Sequence, residues 1–545
     1  MKNAILSVVA LLLCVGLQAQ ELDVFGLAER ECPSLPKGLL RAVSFTNTQC
    51  HHLTDADYHS DSDDPAAMPR AYGMMGLVKD GKGCFNENLR MVAELSGLSQ
   101  KDILSDPAVN VLAYAKACAA LASQWGIDTQ KVEGFAPVIE ALSEIPARTL
   151  PMKMMLYSVY LQLDVDLAAL FGDDYQMLSS KSLLVTEETD YPLAIWNPAA
   201  SCNFEPRTKE VSAVVIHYTE GSYAGCISWF QNCDSEVSAH YVIRSCDGQV
   251  TQMVRERDKA WHAGVANGYT IGVEHEAYGD IISFFTEEMY ASSADLMRNI
   301  CERYDAIDGH RTFYYDTLDN GVTLNNGVHD FGGEGACVQI RGHQHYPNQT
   351  HTDPGPYWDW NYYYKLINQD DPVEIIDAVS AEEGTLDHEY YGDDERLIWV
   401  IQGEENALIS LDFSSFDLET DFDFLWIYDG DNVFARKIGR WNTQSPGHVT
   451  STGNALCVEF RSDCATTAAG WRATWEVHHF GVGLVEMEDA SDGIVEVYDL
   501  MGRRLLRTSE NRAETLDMSS LAHGTYLMRR VRLSDGKAEV KRFIH

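Results

Sequence analysis

Two histidines and an aspartate in this chain have the types and setting of a metal site. His217 directly follows the apolar run Ala213-Val214-Val215-Ile216. Gly342-His343 stands far downstream, and ten positions after His343 comes Asp353, within Thr352-Asp353-Pro354-Gly355-Pro356. Two imidazoles and one carboxylate leave the fourth tetrahedral position of Zn²⁺ open to water, which is the layout of a catalytic zinc, not a structural one. Such an ion lowers the pKa of that water and polarises a carbonyl. Pro354 and Pro356 stiffen the loop carrying Asp353, so less entropy is lost on metal binding. Each residue alone has a plainer reading. A histidine at a strand end is usually a surface or hydrogen-bonded one, and Asp before Pro is common in turns. Their combination is what points to a site.

The elements that must position these residues are legible. Ala213-Val214-Val215-Ile216 reads as a buried central strand, which holds His217 rigidly at the sheet edge. His240-Tyr241-Val242-Ile243, then Asp247-Gly248, then Gln249-Val250-Thr251-Gln252-Met253-Val254 reads as a β-hairpin with an Asp-Gly turn. A helix is expected over Glu287–Arg303. Upstream, residues 21–175 look helical. Pro36-Lys37-Gly38-Leu39-Leu40 opens one helix, Pro107–Trp125 is a stronger one, and residues 152–170 form another apolar helical stretch. Gln369-Asp370-Asp371-Pro372 is an acidic linker. Residues 375–480 alternate as strands do, in Ala407-Leu408-Ile409-Ser410-Leu411 and Leu425-Trp426-Ile427-Tyr428, and residues 481–545 are a small strand-rich tail.

Composition bounds the function. A chain of 545 residues holds more than one domain, and 45% hydrophobic content with 11 Trp and 26 Tyr fills several cores. The net charge of −41 excludes nucleic acid as a ligand, because phosphate binding needs a basic footprint. Lys2, the apolar residues 4–17 and Ala19-Gln20 read as a cleaved secretory signal over residues 1–20, too short to span a bilayer. Leu12-Leu13 before Cys14 lacks the small residues of a lipid-attachment site. No later segment is apolar and long enough to be transmembrane. Thirteen cysteines occur, and losing Cys14 with the signal leaves an even number, which favours disulfides in an exported protein. Cys226/Cys233 and Cys457/Cys464 are close enough in sequence to staple local loops.

The motifs His217, Ser238-Ala239-His240-Tyr241, Trp261-His262-Ala263-Gly264, Ile271-Gly272-Val273-Glu274 and Gly342-His343 to Thr352-Asp353-Pro354-Gly355 come in an order that resembles the type 2 N-acetylmuramoyl-L-alanine amidases. That family includes phage lysozyme-type amidases and peptidoglycan recognition proteins. The resemblance covers about residues 205–365, within an α/β domain placed at 190–368. It implies a mixed central sheet flanked by helices, and hydrolysis of the amide between the muramyl lactyl group and L-alanine. It implies His217, His343 and Asp353 as zinc ligands and Glu274 as the acid–base catalyst, with Glu276 a decoy. Where the family often has Lys two residues before the ligand Asp, this chain has His351, which can donate the same hydrogen bond to an oxyanion but with a pH dependence. His345 is a further decoy ligand. His240 and His262 line the cleft as substrate contacts or buttress it. The alternative is a non-catalytic peptidoglycan-binding protein, but family members that only bind usually lack a metal ligand.

The flanks carry further resemblances. Leu39-Leu40-Arg41-Ala42-Val43-Ser44, Ala71-Tyr72-Gly73-Met74-Met75-Gly76-Leu77 and Asp106-Pro107-Ala108-Val109-Asn110-Val111 are similar to blocks of lysozyme-like lytic transglycosylases. Asn47 or a neighbour stands where that family's catalytic Glu belongs, which implies a degenerate, glycan-binding or structural domain. Phe416-Asp417-Leu418-Glu419, Phe422-Asp423-Phe424-Leu425-Trp426-Ile427-Tyr428-Asp429-Gly430, Phe460-Arg461-Ser462-Asp463 and Gly470-Trp471 resemble a CUB domain, a β-sandwich. Its Ca²⁺ ligands fall on Glu419, Asp423 and Asp463, and oxygen-only ligands suit that cation. Val495-Glu496-Val497-Tyr498-Asp499-Leu500-Met501-Gly502-Arg503, Leu521-Ala522-His523-Gly524-Thr525-Tyr526 and the basic end Lys541-Arg542-Phe543-Ile544 look like a type IX secretion sorting domain. That implies type IX secretion machinery as a partner and a secreted or cell-surface product.

Overall fold

Asp106 accepts hydrogen bonds from the amides of Ala108 and Val109, Pro107 takes the first helical position, and Gly126 ends the helix in the left-handed region at φ 65°. Those caps fix Pro107–Trp125 on the bounds its apolar spacing predicts. The structure is a computed structural model describing residues 23–59, 67–79, 85–179, 189–279, 281–314, 330–405, 407–479, 493–499, 504–509, 525–532 and 538–544. The expected signal at residues 1–20, and residues 500–503 and 521–524 of the tail motif, lie outside the described residues. The chain forms two compact units, Met1–Asn368 and Gln369–His545.

In the first unit, α1 (Leu39–Thr48), α2 (Pro107–Trp125) and α3 (Leu150–Leu161) share a core containing Leu40, Val43, Val111, Tyr114, Met155 and Val159. The apolar stretch 152–170 is not one helix. It breaks after Leu161, and Asp166 caps a separate short helix, Leu167–Phe171, by accepting from the Ala169 amide at 3.0 Å. Aspartate competes for backbone donors inside a helix and stabilises its start instead. Near the end of α1, Asn47 is buried and donates to the Met75 carbonyl at 3.0 Å.

The second half of this unit is a six-stranded mixed sheet. Its strands β1 (Ile195–Trp196), β2 (Ala213–Tyr218), β3 (Tyr241–Ile243), β4 (Val250–Gln252), β5 (Thr270–His275) and β6 (Ile340–Gly342) run in the order β6-β2-β5-β3-β4-β1. β2 is parallel to both neighbours and wholly buried, which is why its sequence is an unbroken apolar run up to His217. β3 and β4 make the expected antiparallel hairpin, with Gly248 in the loop at φ 71°. One face of the sheet packs on α5 (Glu287–Arg303) and α6 (Trp360–Ile367) through Val214, Ile216, Val273, Leu296 and Trp360. On the other, α4 (Tyr223–Phe230) packs Ile227 and Trp229 with Val242.

In the second unit, a sandwich pairs a sheet of β7 (Val373–Asp377), β9 (Arg396–Gln402), β14 (Ala455–Arg461), β11 (Phe424–Asp429) and β12 (Arg436–Trp441) with one of β8 (Glu383–Glu389), β15 (Gly470–His479), β10 (Ala407–Asp417) and β13 (His448–Thr450). Leu411, Ile427, Val458, Phe460 and Trp471 fill the space between. The tail strands β16 (Gly493–Asp499), β17 (Arg504–Ser509), β18 (Thr525–Arg532) and β19 (Ala538–Ile544) form a separate antiparallel sheet.

Neither local cysteine pairing forms. Cys233 bridges Cys202 instead, with Cα atoms 5.6 Å apart, while Cys226 points from α4 into the core and Cys457 is a buried thiol in β14. A bridge requires converging Cβ vectors, which closeness in sequence does not supply. Cys32 and Cys118 are also buried thiols, so an even count did not mean full oxidation. Among the described residues no helix is long and apolar enough to cross a membrane.

Candidate active site

Three adjacent parallel strands, β6, β2 and β5, end side by side, and their carboxyl ends are where open α/β sheets bind ligands. The register sets His217 opposite Glu274 and Ile216 opposite Gly342, so His343 steps off β6 at the level of His217. In-register neighbours share a face. Val214, Ile216 and Val273 take the core face, so His217 and Glu274 point the other way, into a cleft of about 290 Å³. Trp229, Phe230, Trp261, His262, His343, His351 and Asp353 also line it. Two glycines permit this approach. A Cβ on Gly342 would lie 2.5 Å from Pro354 Cδ and push away the Asp353 loop, and one on Gly272 would lie 2.5 Å from Cγ of the His262 ring.

The nitrogens and carboxylate oxygens of His217, His343 and Asp353 converge within 4.8 Å of one another. His217 Nδ1 lies 2.8 Å from Asp353 Oδ2, and His343 Nδ1 lies 3.1 Å from Oδ1. A chain of hydrogen bonds fixes the His217 tautomer. The Thr270 hydroxyl donates to the Ala266 carbonyl at 2.9 Å, so its oxygen accepts from His262 Nε2–H at 3.3 Å. His262 Nδ1 then accepts from His217 Nε2–H at 3.0 Å. His217 Nδ1 is left with a lone pair facing a carboxylate, an arrangement that calls for a cation between them. Burial holds His217 down to about 4, so the ring is neutral at neutral pH and ready to act as a ligand. For Asp353 burial alone would raise the pKa, but His343 and His217 outweigh it and hold the carboxyl well below its usual range. His343 Nε2 is enclosed without a partner. This donor set fits Zn²⁺.

Glu274 is half-buried, and its Oε2 has no hydrogen-bond partner. Burial, then the charges of Asp353 and Glu220, push its carboxyl well above the ordinary value. Glu276 is different: it accepts from the amides of Tyr223 at 2.8 Å and Ser245 at 2.9 Å, which makes it part of the scaffold. His345 is buried against Phe313, with Nδ1 taking the Gly342 amide. His351 sits at the exposed rim, stacked on His343 with ring centroids 4.7 Å apart and planes 12° from parallel.

His240 is fully buried, takes the Gly272 amide on Nδ1 at 3.0 Å and meets Arg207 at 2.9 Å through Nε2, tying β5 to the segment before β2. His262 both lines the cleft and buttresses His217. Sequence reasoning missed Thr270, the end of the relay, although it directly precedes Ile271-Gly272-Val273-Glu274. It also missed Tyr58, His59, Ala67 and Met68, which line the same cleft from the helical half of the unit and carry no local motif.

In the sandwich, ligand atoms of Glu419, Asp423 and Asp463 also lie within 4.8 Å of one another. Asp423 accepts from the Tyr391 hydroxyl and, at 2.9 Å, from the Asp463 amide. Burial and then the charges of Asp463 and Asp423 push Glu419 up to about 7, and burial foremost lifts Asp423 to about 6. Carboxylates crowded together with too few cations are the setting of a Ca²⁺ site.

Comparison with known proteins agrees with this geometry. Residues 207–356 match the family model described as N-acetylmuramoyl-L-alanine amidase, and residues 377–475 match that of the CUB domain. N-acetylmuramoyl-L-alanine amidase A of Achromobacter lyticus is 43% identical over 182 residues, covering 33% of this chain and 96% of that protein. The 1,6-anhydro-N-acetylmuramyl-L-alanine amidase of Haemophilus influenzae is 27% identical over 190 residues, 30% of this chain and 85% of that protein. The cubilin homolog of Drosophila melanogaster is 34% identical over 108 residues, 18% of this chain but 3% of that protein. With nearly the whole of a relative matched at 43% identity, and with His217, Glu274, His343 and Asp353 all inside the matched family segment, the chain belongs to the N-acetylmuramoyl-L-alanine amidase family.

Proposed function

We propose that this protein is a zinc-dependent amidase that hydrolyses the bond between the muramyl lactyl group and L-alanine in peptidoglycan. The observation that carries this reading is the convergence of His217 Nδ1, His343 Nδ1 and Asp353 at the end of a cleft, with Glu274 in register beside them. His217, His343 and Asp353 would hold the ion, which would supply Lewis-acid polarisation of the scissile carbonyl and acidify the attacking water. Glu274 takes the proton from the attacking water and delivers it to the leaving amine, a task suited to a carboxyl whose proton affinity is raised by burial and by Asp353 and Glu220. His351, at the rim beside His343, donates a hydrogen bond to the developing oxyanion. His262 and Thr270 hold His217 in its metal-binding tautomer.

Digestion of purified sacculi is expected to release peptides with a free L-alanine amino terminus, identified by mass spectrometry. A chelator is expected to stop the release, and added Zn²⁺ to restore it. Undiminished release from metal-stripped protein would overturn the zinc assignment.

The flanking segments fit an exported enzyme. The helical half is a degenerate lysozyme-like domain, since Asn47 replaces the acid. The sandwich binds Ca²⁺ through Glu419, Asp423 and Asp463 and directs the enzyme to a surface, and the tail is a type IX sorting domain that carries the protein out of the cell. Calcium at one hundred times its dissociation constant is expected to stabilise the sandwich by about 2.7 kcal/mol. Calorimetry should register the binding in wild type and not in Asp423→Asn. Equal calcium binding by both would remove these ligands from the assignment.

A further inference from the structure

A string of polar groups crosses the apolar core behind His217. Val273 points into that core, and His275, two residues on, takes the same face of β5 and is fully buried. His275 Nδ1 lies 2.9 Å from the His217 carbonyl, which can only accept, so Nδ1 carries the proton. Nε2 is then an acceptor, and the Ser293 hydroxyl of α5 donates to it at 2.8 Å. The Ser293 oxygen accepts in turn from the Tyr363 hydroxyl of α6 at 2.7 Å. Ser293 and Tyr363 are also fully buried. The string joins α6, α5, β5 and β2, and it ends on the backbone of His217.

Polar groups in an apolar core cost stability unless each is paired, and a fully paired network holds its members rigidly. Both nitrogens of His275 and both hydroxyls of the string have partners. His275 also acts through its backbone, because its carbonyl accepts from the Thr219 amide at 3.0 Å. It therefore grips β2 at the His217 carbonyl and again just past the strand end. The Trp358 ring packs on the His275 ring with centroids 4.5 Å apart, and Trp358 belongs to the segment that follows Asp353. One buried imidazole thus touches the backbone of His217 and the segment leading away from Asp353.

We propose that His275 is a positioning residue of the metal site: by donating to the His217 carbonyl from the core side, it fixes the peptide plane from which the His217 ring reaches Asp353. This rests on the zinc reading and adds to it a residue that is absent from the cleft lining. His262 steers the His217 ring from the cleft side, whereas His275 steers the backbone of the same residue from the opposite face of the sheet. A ligand held at both ring and backbone keeps its lone pair on the ion's position before the ion arrives, which is how contacts beyond the ligands raise metal affinity.

The test measures zinc affinity, by competition with a chromophoric chelator, in wild type, in the double variant His275→Leu/Ser293→Ala and in His275→Asn. The double variant replaces both partners of a buried hydrogen bond by apolar groups, which is close to neutral for folding. Tyr363 keeps the Ser293 carbonyl, 3.5 Å away, as an acceptor. Zinc affinity of the double variant is expected to fall by about 10–100-fold, the usual loss when a ligand's partner is removed. His275→Asn puts an amide N–H where Nδ1–H stood, and it is expected to recover most of that affinity. A folded double variant with wild-type zinc affinity overturns this inference alone. So does a His275→Asn protein weakened as much as the double variant, because the donor would then not be what matters. Should the double variant not fold, Ser293→Ala takes its place. Losing that hydroxyl frees His275 to take either tautomer, so zinc affinity is expected to fall, and an unchanged affinity overturns the inference. A wild type that binds no zinc overturns the zinc reading, and this inference with it.

Discussion

His217→Ala and Asp353→Asn are each expected to lose bound zinc and to lower amidase turnover by at least about a thousandfold, the equivalent of about 4 kcal/mol of barrier. The geometry sets the size of the effect. Asp353 offers one oxygen to each imidazole, at 2.8 and 3.1 Å, so it is the shared counter-charge of both. Asparagine turns one of those oxygens into an amide nitrogen that cannot ligate. Alanine at 217 leaves Asp353 with a single imidazole and opens a ligand position. His262→Ala should be graded between these and wild type. It removes the acceptor for His217 Nε2–H without touching the ligand atoms, and loss of such a partner typically weakens metal affinity by about 10–100-fold. Elemental analysis and zinc titration read both effects independently of activity. A His217→Ala protein that keeps stoichiometric zinc and full turnover would refute the ligand set, and a His262→Ala protein with unaltered zinc affinity would refute the relay.

How much of this was legible in the sequence depends on how local each signal is. The strand ending at His217 could be read because a strand between two parallel neighbours must be apolar throughout. Helix Pro107–Trp125 could be read because Asp106, Pro107 and Gly126 mark both ends. The break after Leu161 was missed because apolar spacing runs on through it, and Asp166 acts as a cap only once the turn before it forms. His240 shows a deeper limit. Its motif places it next to the site in sequence, but its orientation is set by cross-strand pairing with Gly272, which the sequence does not display. Cys202, in the segment after β1, and Cys233, in the turn after α4, are brought together by the fold and not by spacing. The cleft wall from Tyr58 and Met68 comes from more than a hundred residues upstream of β2, where no period or motif marks it. Chemistry-bearing residues at strand ends were therefore readable, and the surroundings that decide their roles were not.

Glu274 and Glu276, two positions apart, are expected to separate cleanly on mutation. Glu274→Gln should lower kcat by about 10²–10⁴-fold, the usual contribution of a positioned general acid–base. It should leave stability unchanged or slightly raised, because Oε2 of Glu274 has no partner to lose and a half-buried carboxyl is removed. Zinc content should stay at the wild-type level, since the carboxylate is not among the three ligands. Glu276→Gln should do the reverse. Its two oxygens accept from the amides of Tyr223 and Ser245, and glutamine offers one oxygen and one NH₂ group, so one amide must face a donor. A buried amide left unsatisfied costs about 1–3 kcal/mol, which denaturant unfolding resolves. The loss falls on the start of α4, whose Trp229 and Phe230 line the cleft, so KM should shift more than kcat. Normal turnover in Glu274→Gln together with a dead but stable Glu276→Gln would exchange the two roles. Loss of stability in both would mean that Glu274 is fixed by contacts of its own, and that the open carboxylate facing the cleft is not its working state.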